Sequence, residues 1–147
     1  MSFPFVATDL DDGQRTRYRL AVPIDHVNVP VSDLEASRTF YTAALAPFGY
    51  KLLYDGESSL GFGRGDGGDD DEPFAVRLGG PPDRGTHVAF AATCTSQVDA
   101  FHAAAVAAGG SDNGLPGERP YGAYYYAAFV LDPDGHNIEA VYHGLRQ

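Results

Sequence analysis

Residues 124–143 read YYYAAFVLDPDGHNIEAVYH. Two apolar runs flank a four-residue turn, Asp132-Pro133-Asp134-Gly135. Proline presets its own backbone angle in such a turn, and glycine supplies a positive φ. The stretch therefore predicts two strands, 124–131 and 136–142, joined by a tight turn. Side chains alternate between the two faces of a strand. In the second strand Asn137, Glu139 and Val141 share one face, and Ile138 and Ala140 the other. Glu139 thus stands away from its apolar neighbours. In the first strand parity groups Tyr124 with Tyr126 and sets Tyr125 opposite them.

Upstream, 86–92 (THVAFAA) predicts a strand, and 95–108 (TSQVDAFHAAAVAA) a helix stopped by Gly109 and Gly110. A weak strand near 111–115 follows, then a loop with Pro116, Gly117 and Pro120. The same order occurs earlier. Residues 24–30 (IDHVNVP) predict a strand rich in β-branched residues. The next helix carries Leu34, Ser37, Phe40, Tyr41, Ala44 and Leu45 at helical spacing. Ser32 or Asp33 caps it, and Glu35 stands where a capping box with Ser32 needs it. Pro47 and Gly49 end it, and strands follow near 50–55, 58–64 and 73–78.

His26 and His87 lie 61 residues apart, as do Phe40 and Phe101, and Gly49 and Gly110. The repeat predicts a duplicated βαβββ module. In each first strand the histidine faces away from the valines that a helix would cover: His26 shares a face with Asn28, and His87 with Ala89 and Ala91. His136 in the turn reads as a local hydrogen-bonding residue, and His102 on the second helix as solvent-facing. Cys94 has no histidine or second cysteine beside it, so no nucleophile is assigned to it.

The chain has 147 residues, which suits one domain or two small fused modules. The repeat selects the second: one domain over 22–143, with modules at about 22–80 and 84–143, after an N-terminal extension 1–21. Net charge is −10, which makes a poor phosphate binder and disfavours nucleic acid and anionic membranes. Five of the 20 acidic residues fall in GDGGDDDE at 65–72. This stretch lacks the alternating ligands of a calcium loop and reads as an exposed loop. One cysteine allows no internal disulfide. No apolar run approaches the roughly 20 residues of a membrane helix, and no basic start precedes an apolar run, so a cytoplasmic protein is expected.

Three stretches, IDHVNVPVSDLEASRTFY, THVAFAATCTSQVDAFHAAAVAAGG and YYYAAFVLDPDGHNIEAVYH, resemble the vicinal oxygen chelate superfamily. That group includes glyoxalase I, extradiol dioxygenases, fosfomycin-resistance enzymes and bleomycin-resistance proteins. The resemblance implies an α+β fold in which two βαβββ modules form a curved mixed-sheet cup. It implies metal ligands at His26, His87 and Glu139. The family's fourth ligand position, counted back from His87, falls on Arg77, whose protonated guanidinium cannot ligate. Arg77 would instead pair with Glu139 or hold an anionic substrate, with Asn28 and Tyr124 as further substrate contacts. Glu139 and Tyr126 are the candidate catalytic residues, Tyr126 as an acid or hydrogen-bond donor.

Two histidines and one carboxylate leave open positions on a divalent ion: Fe, Zn, Ni, Mn or Co. A small substrate with two adjacent oxygens would chelate it. The expected activity is that of a divalent-metal lyase or isomerase, or of an extradiol-type dioxygenase. The alternative is a metal-free antibiotic-binding or resistance protein, and a third reading is an interaction module with a decayed site. In that group the two modules of one site come from one chain or from two, so the resemblance implies a homodimer with the triad either within one chain or across the interface.

Overall fold

The computed structural model describes residues 24–65, 72–80 and 85–144. The extension 1–21, and residues 66–71 of the acidic stretch, lie outside these. Strand β1, Val27–Val31, buries Val29 and Val31 and leaves Asn28 exposed, as its alternation predicts. Helix α1, Leu34–Leu45, follows. It buries the predicted stripe, Ser37, Phe40, Tyr41, Ala44 and Leu45, and packs on the sheet. Asp33 caps it, accepting the Ala36 amide at 3.0 Å. The capping box does not form: Ser32 donates to Asp134 of the other module, and Glu35 pairs with Arg38. A short 3-10 helix, Ala46–Phe48, ends at Gly49, whose φ of 77° suits a residue without Cβ.

Strands β2 (Lys51–Asp55), β3 (Ser59–Gly63) and β4 (Phe74–Leu78) run antiparallel in turn. Strand β4 comes back beside β1, parallel to it, so the sheet order is β1-β4-β3-β2. The second module repeats the plan. Strand β5 (His87–Ala91) leads into helix α2 (Thr95–Ala107), then β6 (Ser111–Glu118), β7 (Tyr125–Leu131) and β8 (Asn137–His143). Its order is β5-β8-β7-β6, again with the outer pair β5 and β8 parallel. The fold is therefore α+β, two tandem βαβββ modules, as the repeat predicts.

Two local expectations change. Strand β6 runs through Pro116 and Gly117, which read as loop in the sequence. It is an edge strand whose pairing with β7 skips around Gly114 and before Gly117. Edges and bulges tolerate a proline because not every amide there must donate. His102 does not face open solvent. Helix α2 packs on β6, so the His102 ring meets Asp112 at 2.8 Å and is 13% exposed.

One apolar core joins the modules. Phe90 of β5 lies 5.2 Å from Phe74 and 5.7 Å from Phe48, and Phe48 also meets Phe101 of α2 at 5.9 Å, between ring centroids. A buried polar knot joins them as well. The Asp132 carboxylate accepts the Tyr41 hydroxyl at 2.6 Å and the His136 ring at 2.8 Å. It also accepts the backbone amides of Asp134 and His136. Removing this acceptor strands buried donors. Asp132→Ala is expected to lose about 3 kcal/mol or more, and Tyr41→Phe about 1.5–3 kcal/mol. Urea unfolding at neutral pH measures both; an Asp132→Ala protein as stable as wild type contradicts the account.

Candidate functional site

The apolar faces of both sheets are spent on the core, so the chemistry lies on the opposite faces. On β5 and β8 the pairing sets Ala89 against Glu139 and His87 against Asn137. His87 Nε2 lies 2.9 Å from Glu139 Oε2. The other ring nitrogen, Nδ1, donates to the Asn137 carbonyl at 3.1 Å. A carbonyl can only accept, so Nδ1 carries a hydrogen and a neutral ring presents its Nε2 lone pair to the carboxylate. Two electron-rich atoms at that distance need a shared cation, either a proton or a metal ion. Two ligands about 2.1 Å from one metal and at right angles stand about 3 Å apart, which this pair matches.

Glu139 is 2% exposed, although it stands on the open face. Its neighbours close over it. Phe129 of β7 is its register partner and stacks on His87 with ring centroids 6.2 Å apart. The Tyr125 hydroxyl donates to Glu139 Oε1 at 2.5 Å. A buried carboxylate costs free energy unless its oxygens are paired, and here each faces a polar group. Burial, then the bond to Glu139, pushes the Tyr125 phenol up to about 12. Arg119 lies over Phe129, 5.5 Å from the ring centroid. Neither Tyr125 nor Arg119 was picked out by the sequence reading.

The tyrosine assignment is corrected. The β7–β8 register pairs Tyr126 with Tyr142 and Phe129 with Glu139. Tyr126 therefore shares the face of Ile138, toward α2, and its hydroxyl donates to Asp99 of that helix at 2.8 Å. Tyr125, on the opposite parity, is the one beside Glu139. Tyr124 precedes the strand at φ 61°, is 62% exposed, and lines a cavity of about 320 Å³ with Arg119 and Tyr125. His143 meets the Tyr125 ring edge-on at 4.9 Å.

His26, Asn28 and Arg77 come together elsewhere, in a cavity of about 520 Å³ on the first sheet. There His26 Nδ1 donates to Asp25 at 2.9 Å, so in the neutral ring Nε2 carries the lone pair. Among the described residues, no three His, Cys, Asp or Glu side chains within one chain are close enough to share a metal ion. The register also moves the fourth position. Asn28, the repeat mate of Ala89, pairs with Ala75, as Ala89 pairs with Glu139. The counterpart of Glu139 is thus Ala75, not Arg77. Arg77 lies two residues further on, on the same face.

Residues 23–140 match the model of the Glyoxalase/Bleomycin resistance protein/Dioxygenase superfamily, and the chain belongs to that superfamily. Its members bind small molecules, often bind divalent metals and often form dimers. A glyoxalase/bleomycin resistance protein from Albidiferax ferrireducens T118 is 32% identical, with a TM-score of 0.70 over 84% of this chain and 100% of that one. A glyoxalase-related enzyme from Fulvimarina pelagi is 22% identical, with a TM-score of 0.62 over 81% and 86%. A glyoxylase/bleomycin resistance protein/dioxygenase domain from Frankia sp. EAN1pec is 20% identical, with a TM-score of 0.62 over 86% and 100%. The last two likenesses are of fold alone. No curated protein matches the chain. Among the described residues no helix is long and apolar enough to cross a membrane.

Tyr125 gives a pH prediction. Its folded-state value lies above that of an unfolded tyrosine, so the stability from its bond is complete below about pH 10 and fades as pH rises toward about 12. The stability gap between wild type and Tyr125→Phe should therefore shrink across that window. Thermal melts at stepped alkaline pH measure it, and a gap that grows there contradicts the placement.

Proposed function

We propose that this protein is a metal-dependent enzyme of the glyoxalase or dioxygenase type. Its substrate is a small molecule that chelates the metal through two adjacent oxygens. The observation that carries the reading is the pair His87 Nε2 and Glu139 Oε2, 2.9 Å apart, with the imidazole oriented by the Asn137 carbonyl. A histidine whose far nitrogen is tied to a carbonyl is pre-set as a ligand. The donor set of imidazole and carboxylate suits Fe²⁺, Zn²⁺, Ni²⁺, Mn²⁺ or Co²⁺ alike.

His26 completes the triad from a second copy of the chain. Within one chain His26 lines a separate cavity, on the other sheet from His87 and Glu139. A two-fold dimer brings the first module of one subunit against the second module of the other. When bound, a divalent ion supplies Lewis acidity toward a substrate oxygen. The chain's own residues do the rest. Tyr125, protonated at neutral pH, donates a hydrogen bond at Glu139 or at a substrate oxygen. Asn28 and Arg77, from the same module as His26, orient the substrate and hold its anionic group. Tyr124 lines the adjoining cavity.

Metal analysis of protein purified without chelator tests this first. The expected result is one divalent ion per pair of half-sites, lost in His87→Ala. Protein that binds none of the five metals refutes the enzyme reading and favours metal-free antibiotic binding. Subunit mixing tests the shared site. His26→Ala and His87→Ala, each metal-free alone, should on mixing recover about a quarter of the wild-type metal content, because half the dimers regain one site of two. No recovery after verified subunit exchange excludes the shared site.

A further inference from the structure

The first module lacks a carboxylate where the second carries Glu139. We propose that Glu72 fills that role: it is the first module's carboxylate ligand, delivered from outside the strand that carries Ala75. The proposal rests on the shared-site reading above and refines it from a triad to four protein ligands. In the sequence Glu72 is the last residue of an acidic stretch that reads as solvated loop. In the structure its carboxylate folds back onto the sheet.

Three observations carry this. First, Ala75 occupies the symmetry position of Glu139, and alanine has no ligating atom. Second, Gly61 of β3 pairs directly with Ala75, and the Glu72 carboxylate lies against Gly61. A Cβ built on Gly61 would overlap a carboxylate oxygen and the carboxyl carbon. A side chain at Gly61 would push the Glu72 carboxylate aside, and glycine in a strand often marks such a close approach. The carboxylate is thus seated beside the row that Ala75 leaves empty. Third, Glu72 and His26 line the same cavity, with Asn28 and Arg77. Among the described residues no hydrogen bond or ion pair engages the Glu72 side chain.

Each module then contributes one imidazole and one carboxylate: His26 with Glu72, and His87 with Glu139 of the partner subunit. Two carboxylates balance the charge of a divalent ion. The ligand count also bears on the reaction class. A facial triad leaves three positions of an octahedron open, enough for a chelating substrate and dioxygen together, as in non-haem iron oxygenases. Four protein ligands leave two, which a substrate with adjacent oxygens fills. Glu72 as a ligand therefore directs the site toward redox-neutral isomerase or lyase chemistry, with the metal as Lewis acid.

Cobalt(II) titration of the protein, followed by calorimetry and by the visible Co²⁺ spectrum, tests the assignment. Glu72→Gln should weaken Co²⁺ binding by more than about 100-fold, beyond what loss of an outer-sphere partner costs, and should alter the spectrum. Ala75→Glu in the Glu72→Gln background should restore binding, because it places a carboxylate at the symmetric position. Gly61→Ala, which removes no ligand side chain, should also weaken binding by displacing Glu72, with folding checked by circular dichroism. If Glu72→Gln binds Co²⁺ with wild-type affinity and spectrum while His87→Ala does not bind it, the Glu72 assignment is wrong and the shared site stands. If the wild type binds no Co²⁺, both fall together.

Discussion

The Asp132 carboxylate accepts four hydrogen bonds while it is almost wholly buried, and the geometry of the site descends from it. Two of the four come from backbone amides of the turn that launches β8. That turn sets where β8 begins beside β5. Strand side chains alternate, so a slip of one residue would carry Glu139 to the helix side and bring Ile138 to the open face. The other two bonds, from Tyr41 and from the His136 ring, tie the same carboxylate to α1 of the first module and to the core. One acidic side chain thus holds the turn, the register and the junction of the modules. Ser32, which donates to Asp134, adds a second tie across the junction.

The duplication gives two half-sites of the same plan but different furnishing. In the second, Phe129, His87 and Tyr125 close over Glu139, and the carboxylate is shielded from solvent. In the first, His26, Asn28 and Arg77 line an open cavity. A shielded carboxylate with oriented donors is a pre-organised ligand, whereas an open polar cavity is a place for substrate. In the shared site proposed above both half-sites supply metal ligands, and the open first cavity adds Asn28 and Arg77 as substrate contacts.

Much of this was legible beforehand because strand parity is a local rule. Which of His26, Asn28, His87 and Glu139 face away from the core follows from the alternation of their own valines, alanines and isoleucine. Parity also separated Tyr125 from Tyr124 and Tyr126. It did not say which set faces Glu139, because that depends on how β7 pairs with β8. The same gap misplaced the fourth position by two residues, from Ala75 to Arg77. Pro116 read as a loop breaker because the edge location of β6 is a property of the sheet. Glu72 read as loop because its neighbours in sequence are acidic and glycine-rich, while the glycine that receives it, Gly61, lies on another strand.

The sequence by itself determined the two-module architecture, the cores of both helices, the turn before β8 and the identity of the histidines and Glu139 as the polar residues of the open faces. These follow from periodicity and turn chemistry, which act over a few residues. Only the tertiary structure decided which side chains meet: Tyr125 and not Tyr126 beside Glu139, Ala75 as its counterpart, and His26 on a different sheet from His87. Those outcomes depend on register between strands and on packing between modules, where residues tens of positions apart are set against each other, and no local pattern encodes that distance.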